Sequence, residues 1–201
     1  MAKRGRPCSF DRDDALRRAL DVFWDMGYEG ATMSALKDAM GGICAPSVYA
    51  AYGSKEALFR SALALYHAQE SEALWQGLET SPVRDAIGGL LRTAALRYST
   101  PGKPPGCLVD LSTLNFSPAN KAIETTLRDL RVHVACTIEA RLCRARDDGE
   151  LGTRADPVAI AAFYTTVLQG LSIQARDGAS RERLLAIVDG AMTAWDCLAG
   201  N

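Results

Sequence analysis

The spacing of apolar residues along this chain predicts helices, and no stretch alternates as a half-buried strand would. A first helix is expected after Asp11, whose carboxylate can cap it, and it should end at Gly27. Thr32 is expected to cap a second helix, Pro46 to begin a third, and Ser54 to precede a fourth. In the first and fourth of these helices the apolar residues fall on one face, which can pack into a core.

The rest of the chain continues the helical pattern. Further helices are expected over these segments: 83–99, 107–114, about 118–146, and two more that begin at Pro157 and after Ser180. The helix that begins at Pro157 is apolar on nearly every side, so it must be covered on most of its surface. Two apolar C-terminal helices in so small a protein indicate burial against another copy of the chain. We therefore predict an all-α protein of about nine helices.

The segment between Thr32 and Ser54 has the features of a helix-turn-helix. Its two short predicted helices are separated by Gly41 and Gly42, and adjacent glycines suit a tight turn. In this motif the second helix enters the major groove of DNA. The sequence therefore predicts a DNA-binding unit near the N-terminus.

The net charge and its distribution limit the ways in which such a unit could bind DNA. The 201 residues carry a net charge of −1, so the chain is not expected to coat DNA non-specifically. The residues Lys3, Arg4 and Arg6 precede any acidic residue, which makes the N-terminal arm locally basic. No apolar run approaches the length that spans a bilayer, and no signal peptide is apparent, so we expect a cytoplasmic protein without a membrane partner.

Enzymatic activity is not expected. The chain has no nucleotide-binding loop, no Gly-x-Ser-x-Gly elbow and no histidine-rich metal motif. Its only histidines are His67 and His133, which leaves few agents for acid–base chemistry. We therefore predict no catalytic residues, no cofactor and no metal.

The six cysteines leave one alternative open. None forms a Cys-x-x-Cys pair, and without a secretory signal free thiols are expected. On a helix, however, His133, Cys136 and Cys143 would share one face. A redox- or metal-sensing regulator that uses these residues or Cys107 is therefore the alternative function.

Several of these residues together carry a resemblance to a known family. They are Gly5-Arg6-Pro7, Phe23 to Gly27-Tyr28, Thr32, Ser47-Val48-Tyr49 and Gly53-Ser54-Lys55-Glu56-Ala57-Leu58-Phe59. In order and spacing they resemble the TetR/AcrR family of transcriptional regulators over about residues 5–66. The remainder is similar only in architecture.

The resemblance implies a division of labour along the chain. Residues 1–54 would form the N-terminal arm and the helix-turn-helix domain, and residues 55–201 a ligand-binding and dimerisation domain. The protein would be a homodimeric repressor, joined through its last two helices. A small-molecule inducer would release it from a palindromic operator in double-stranded DNA.

Phosphate contacts are expected to dominate the DNA interface. Val48 should face the core, which turns Tyr49 towards phosphate, and Lys55 should grip a phosphate at the start of its helix. Thr32 is expected to be a helix cap first and a phosphate ligand second, and Ser47 could touch phosphate or a base edge. Tyr52 stands where the family usually has phenylalanine, so we interpret it as core.

We expect few direct contacts between side chains and base edges. The positions that often carry base-reading side chains hold Cys44 and Ala45 at one end and two alanines at the other. Alanine can contact a thymine methyl but cannot make a bidentate bond to guanine. Our hypothesis is that Arg4 and Arg6 supply further contact by entering the adjacent minor groove.

The ligand pocket and dimer interface are predicted less directly. Plain core is the favoured interpretation of each candidate pocket residue; the candidates are Trp75, Tyr98, Leu111, Leu114, Phe116, Tyr164 and Leu168. Candidate dimer residues on the last two helices are Phe163, Val167, Leu171, Leu184, Ile187, Val188, Ala191 and Trp195. Because few charged residues interrupt the apolar stripes of these helices, we expect an apolar or aromatic ligand.

Overall fold

The computed structural model describes residues 11–112 and 116–200, and the side chains of all of these except 71–73. Over these residues the secondary structure is helical, without a strand, which confirms the all-α prediction. The α-helices are α1 (Arg12–Gly30), α2 (Met33–Ala39), α3 (Ala45–Tyr52), α4 (Lys55–Tyr66), α5 (Glu72–Trp75), α6 (Val83–Tyr98), α7 (Leu108–Leu111), α8 (Lys121–Asp147), α9 (Pro157–Arg176), α10 (Arg181–Thr193) and α11 (Trp195–Ala199). The described residues also contain one π-helical turn (His67–Ser71) and one 3-10 turn (Pro118–Asn120).

The predicted caps are in place at the helix starts. The Asp11 carboxylate accepts from the backbone N–H groups of Asp13 and Asp14, and Ser54 Oγ accepts from Ala57. These bonds satisfy amides that have no partner within the helix. Gly27 takes a φ of +68°, which breaks the regular geometry of α1 near its end. Each of these boundaries follows from a local signal in the sequence.

The described residues form two compact units that divide between His67 and Ala68. The predicted boundary after residue 54 is too early, because α4 belongs to the first unit. Phe59 of α4 is buried and meets Phe23 of α1 edge to face, with ring centroids 5.0 Å apart. Tyr66 packs in the same way on Trp24 at 4.9 Å. Without α4 the aromatic core under α1 would be open to water.

The second unit has its own core, built around α6 and α9. The fully buried side chains include Ile87, Leu91, Tyr164 and Leu171. A buried guanidinium joins α8 to the segment that precedes α6, since Arg141 donates to the carbonyls of Leu78 and Thr80. The same guanidinium pairs with Glu150, whose carboxylate also accepts from the Val83 amide at the start of α6.

Helix α9 departs from one sequence expectation. By length and composition alone it could cross a membrane, with a mean hydropathy of 1.3, although we expected no such run. In the structure it packs against α6, α8 and α10, and 44% of its most apolar stretch is buried inside the protein. Part of its apolar character is therefore used for the core of the second unit.

Candidate nucleic-acid interface

The turn between α2 and α3 sets the direction of the third helix. The Gly41 amide donates to the Asp38 carbonyl and the Gly42 amide to the Lys37 carbonyl, which is the Schellman pattern at a helix end. Both glycines have positive φ, +96° and +73°. A side chain at either position would strain the backbone, so the two adjacent glycines make this sharp change of direction possible.

Helix α3 offers a short, mostly exposed surface. Val48 is 2% exposed and faces the core, whereas its neighbour Tyr49 is 47% exposed. This confirms the predicted orientation of the pair, because adjacent residues on a helix point about 100° apart. The phenol of Tyr49 is therefore available to a partner such as a phosphate oxygen.

Two further candidates lie at the start of α3. Cys44 is the N-cap residue, and its Sγ lies 3.1 Å from Ser47 Oγ. Hydrogen bonding with Ser47 lowers the pKa of the Cys44 thiol. Cys44 is exposed and Ala45 is half-buried.

The remaining phosphate candidates stand at the starts of α2 and α4. Thr32 Oγ1 accepts from the Ala35 amide at 3.1 Å, so the cap is formed while the hydroxyl proton can still be donated. Lys55 Nζ lies 4.5 Å from the centroid of the Tyr28 ring. Partial burial lowers the pKa of Lys55, an effect that the nearby Glu29 opposes. The ammonium is thus held in place by an aromatic face.

One contact at this site was missed from the sequence. Arg12 Nη2 donates to the Ala51 carbonyl at 2.7 Å, and the Tyr52 hydroxyl donates to the Arg12 carbonyl at 2.9 Å. Tyr52 is therefore not the plain core residue that we expected, since its ring is half-exposed and its hydroxyl is bonded. No local pattern could have indicated a pair that is separated by 40 residues. The other basic candidates, Arg4 and Arg6, lie outside the described residues.

The candidate pocket residues divide into two groups. Tyr98, Tyr164 and Leu168 are buried in the core of the second unit. By contrast, Trp75, Leu111 and Phe116 are half-buried. Leu114 lies outside the described residues. The three buried residues are therefore part of the core. The three half-buried residues retain surface that a ligand could contact.

A polar cluster that the sequence did not reveal lies beside α7. The Cys107 thiol is hydrogen-bonded to the side chains of both Tyr98 and Asp110. Burial raises the pKa of Asp110 to about 6. The hydrogen bond from Cys107 and the charge of Arg131 partly oppose this rise in pKa. Burial also raises the pKa of Tyr98 well above its ordinary value. The cluster provides hydrogen-bonding groups at the edge of an otherwise apolar core.

The structure corrects half of the predicted dimer residues. Those buried within the protomer itself are Leu171, Leu184, Val188 and Trp195, each at most 2% exposed. They pack against their own chain, so in this conformation they offer no surface to a second copy. Phe163 is 38% exposed, and Val167, Ile187 and Ala191 are half-buried. Helical periodicity identified the apolar positions but could not tell which neighbour covers them.

The thiols do not converge on a metal site. His133 and Cys136 are exposed on α8 and Cys143 is half-buried. Within residues 11–112 and 116–200, no group of three or more His, Cys, Asp or Glu side chains is placed to hold a metal ion. The metal-sensing alternative therefore has no geometric support in this part of the chain.

Solved structures resemble this chain along nearly all of its length. A cysteine mutant of the TetR family transcriptional regulator CifR, complexed with 26-base-pair operator DNA, is 46% identical and covers 94% of this chain and 100% of its own, with a TM-score of 0.88. A TetR regulator from Rhodococcus is 31% identical, covers 92% and 98% of the two chains, and has a TM-score of 0.61.

Curated relatives agree with the structural comparison, although no family model matches the chain. The HTH-type transcriptional repressor ComR of Escherichia coli is 34% identical over 195 residues, which are 96% of this chain and 92% of that protein. The repressor BdcR of the same organism is 33% identical, over 90% and 87% of the two chains. With its capped helix-turn-helix, its all-helical second unit and relatives of this kind, the chain belongs to the TetR family of DNA-binding transcriptional regulators.

Proposed function

We propose that this protein is a homodimeric repressor that binds a palindromic operator in double-stranded DNA through α3 and is released by a small-molecule inducer. The observation that carries the proposal is the orientation of α3, which buries Val48 and leaves Tyr49 exposed. The relative CifR, which shares 46% of its residues with this chain, is bound to operator DNA. A regulator of this kind acts in the cytoplasm.

The interface that we propose is richer in phosphate contacts than in base contacts. Tyr49, Lys55 and Thr32 present a hydroxyl or an ammonium, the groups that hold DNA phosphates. Cys44, Ala45 and Ser47 lie at the start of α3, where side chains of a recognition helix meet base edges. None of the three can form a bidentate bond to a base pair, so specificity depends on methyl contacts, DNA shape and half-site spacing.

The Tyr49→Phe variant tests this assignment. Wild-type protein is first used to select a duplex from a random-sequence library, and affinities are then measured by fluorescence anisotropy. Loss of two phosphate hydrogen bonds per dimer should weaken binding about tenfold. The effect should be equal on the selected and a scrambled duplex, because phosphate contacts carry no sequence information.

The matched control is Tyr164→Phe, which removes a hydroxyl from the core of the second unit. Tyr164 bonds only weakly to the Ala191 carbonyl, at 3.4 Å. This variant should bind both duplexes as the wild type does. Wild-type affinity in the Tyr49→Phe protein would refute the phosphate contact, and failure of wild-type protein to select any duplex would refute the operator proposal.

We place the dimer interface on the outward faces of α9 and α10. Phe163 and Ile173 of α9 are exposed, at 38% and 52%, although both are large and apolar. Half-buried Val167, Ile187 and Ala191 extend this surface. Complete burial of a fully exposed large apolar side chain is favourable by about 1.5–3 kcal/mol, so covering the exposed parts of Phe163 and Ile173 supports association.

Sedimentation of the Phe163→Asp variant tests the interface. A charge at this position should shift the protein from dimer to monomer, because a buried unpaired carboxylate is costly. The control is Val132→Asp on α8, a residue that is 54% exposed on a different helix. If both variants or neither become monomeric, the interface lies elsewhere.

We place the inducer beside α7, in the second unit. Half-buried Leu111 of α7 supplies apolar surface, and Asp110 with Cys107 supplies polar groups. Ligand pockets in general combine an apolar lining with a few polar groups that fix orientation. Variants of Asp110 should therefore keep operator affinity while repression in cells becomes insensitive to the inducer, as a reporter gene would show.

A further inference from the structure

The C-terminal end of α3 is held by an exchange of hydrogen bonds with the start of α1. The Arg12 guanidinium donates to the Ala51 carbonyl at 2.7 Å, and the Tyr52 hydroxyl donates back to the Arg12 carbonyl at 2.9 Å. The guanidinium carbon also lies 5.2 Å from the centroid of the Tyr52 ring. These three contacts are called the Arg12–Tyr52 clasp below.

Helix α3 has little else to fix it in place. It contains eight residues, of which only Val48 is buried, and a helix of this length is not stable by itself in water. Its last turn contains no basic residue to offset the negative end of the helix dipole. Arg12 supplies that positive charge from another helix.

The clasp also satisfies a backbone group that the helix cannot satisfy. The last four carbonyls of any α-helix lack partners within it. In α3 the Gly53 amide bonds the Tyr49 carbonyl, and Arg12 bonds the Ala51 carbonyl. The bond from Arg12 is charge-assisted, a class about twice as strong as a neutral hydrogen bond.

We propose that Arg12 and Tyr52 are positioning residues that set the rotation of the recognition helix, and through it the specificity of DNA binding. The inference rests on the proposed function, because it assumes that α3 reads DNA. Tyr52 lies three residues after Tyr49, so the two side chains belong to adjacent turns of one helix. A rotation of α3 that the clasp prevents would displace the Tyr49 hydroxyl and the first turn together.

The tyrosine hydroxyl supplies a contact that phenylalanine at this position would lack. A phenylalanine ring could still lie against the guanidinium, but it could not donate to the Arg12 carbonyl. Burial raises the pKa of Tyr52, so the hydroxyl keeps its proton and remains a donor at neutral pH. The clasp therefore holds over the whole physiological pH range.

The Tyr52→Phe variant of the full chain is the first test. It changes no charge, and the hydroxyl that it removes already donates to the Arg12 carbonyl, so a loss of binding is not the loss of a direct phosphate contact. With a duplex selected from a random library by the wild type, affinity should fall about tenfold, whereas affinity for a scrambled duplex should fall by a smaller factor, so the ratio of the two affinities should decrease. Hydrogen exchange of the α3 amides in the free protein should become faster.

A pair of arginine variants is the second test. Arg12→Ala should reduce the ratio of selected to scrambled affinity, as Tyr52→Phe does, and the double variant should be no worse than Arg12→Ala alone. Arg17→Ala removes the same charge from an exposed arginine of α1 that pairs with Asp14. It should leave that ratio unchanged. Thermal melting verifies that all variants are folded.

Three results would overturn the inference. They are an unchanged specificity ratio in Tyr52→Phe, equal effects of Arg12→Ala and Arg17→Ala, and additive effects in the double variant. A uniform loss on both duplexes with a lower salt slope would make Arg12 a phosphate contact instead. If the wild type selects no duplex, the proposed function fails, while faster exchange in α3 would still show that the clasp holds the helix.

Discussion

Lys55 allows the proposed DNA contact to be tested quantitatively. Its ammonium is already partly buried and lies 4.5 Å from the centroid of the Tyr28 ring, so it is held in position before DNA arrives. Lys55→Met keeps an unbranched stem against that ring but removes the charge. Each phosphate that a protein neutralises contributes about 0.9 to the slope of log affinity against log salt. Because a dimer carries two copies, the slope should become shallower by about 1.8.

The measurement is operator affinity at several salt concentrations by fluorescence anisotropy. Between 50 and 200 mM salt, the affinity of the Lys55→Met variant should fall about tenfold less than that of the wild type. The matched control is Arg60→Met on the same helix, where the guanidinium is paired with Glu56 at 2.9 Å. Equal slopes for wild type and Lys55→Met would refute the phosphate contact. Equal changes of slope in Lys55→Met and Arg60→Met would show a general effect of charge instead.

Two further predictions concern the second unit. Arg141→Met removes charge-assisted bonds to the Leu78 and Thr80 carbonyls, so urea unfolding should show a loss of about 3 kcal/mol, and a loss below about 1 kcal/mol would contradict the role given to this residue. Asp110 holds its proton more tightly when folded, since its pKa rises from 3.8 to about 6. The free energy of unfolding should therefore fall as the pH rises from about 4 to about 6, by at most about 3 kcal/mol. Asp110→Asn should remove this dependence, and an unchanged pH profile would show that the carboxyl is not buried.

The helix boundaries were predictable because their causes are local. Asp11, Thr32 and Ser54 cap helices through bonds to amides two or three residues ahead. Gly41 and Gly42 end α2 through bonds to carbonyls within the same turn. The orientation of Val48 and Tyr49 follows in the same way, since an apolar residue faces the core and its neighbour does not.

The candidate site was only partly predictable, because some of its contacts join distant parts of the chain. Arg12 and Tyr52 are 40 residues apart, and neither position is marked by a local pattern. The domain boundary was placed too early for a related reason. The aromatic packing of α4 on α1 is a property of the folded unit, while the Gly53 turn is visible in the sequence.

By itself the sequence determined the helical class, the helix-turn-helix and the family, since capping, turn geometry and periodicity act over a few residues. Only the tertiary structure decided which apolar positions remain on the surface. Leu171 and Phe163 both belong to α9, yet one is fully buried and the other is 38% exposed. Periodicity records that a position is apolar, whereas burial depends on which other helix lies against it. For the same reason, the sequence predicted the recognition helix but not the Arg12–Tyr52 clasp that holds it.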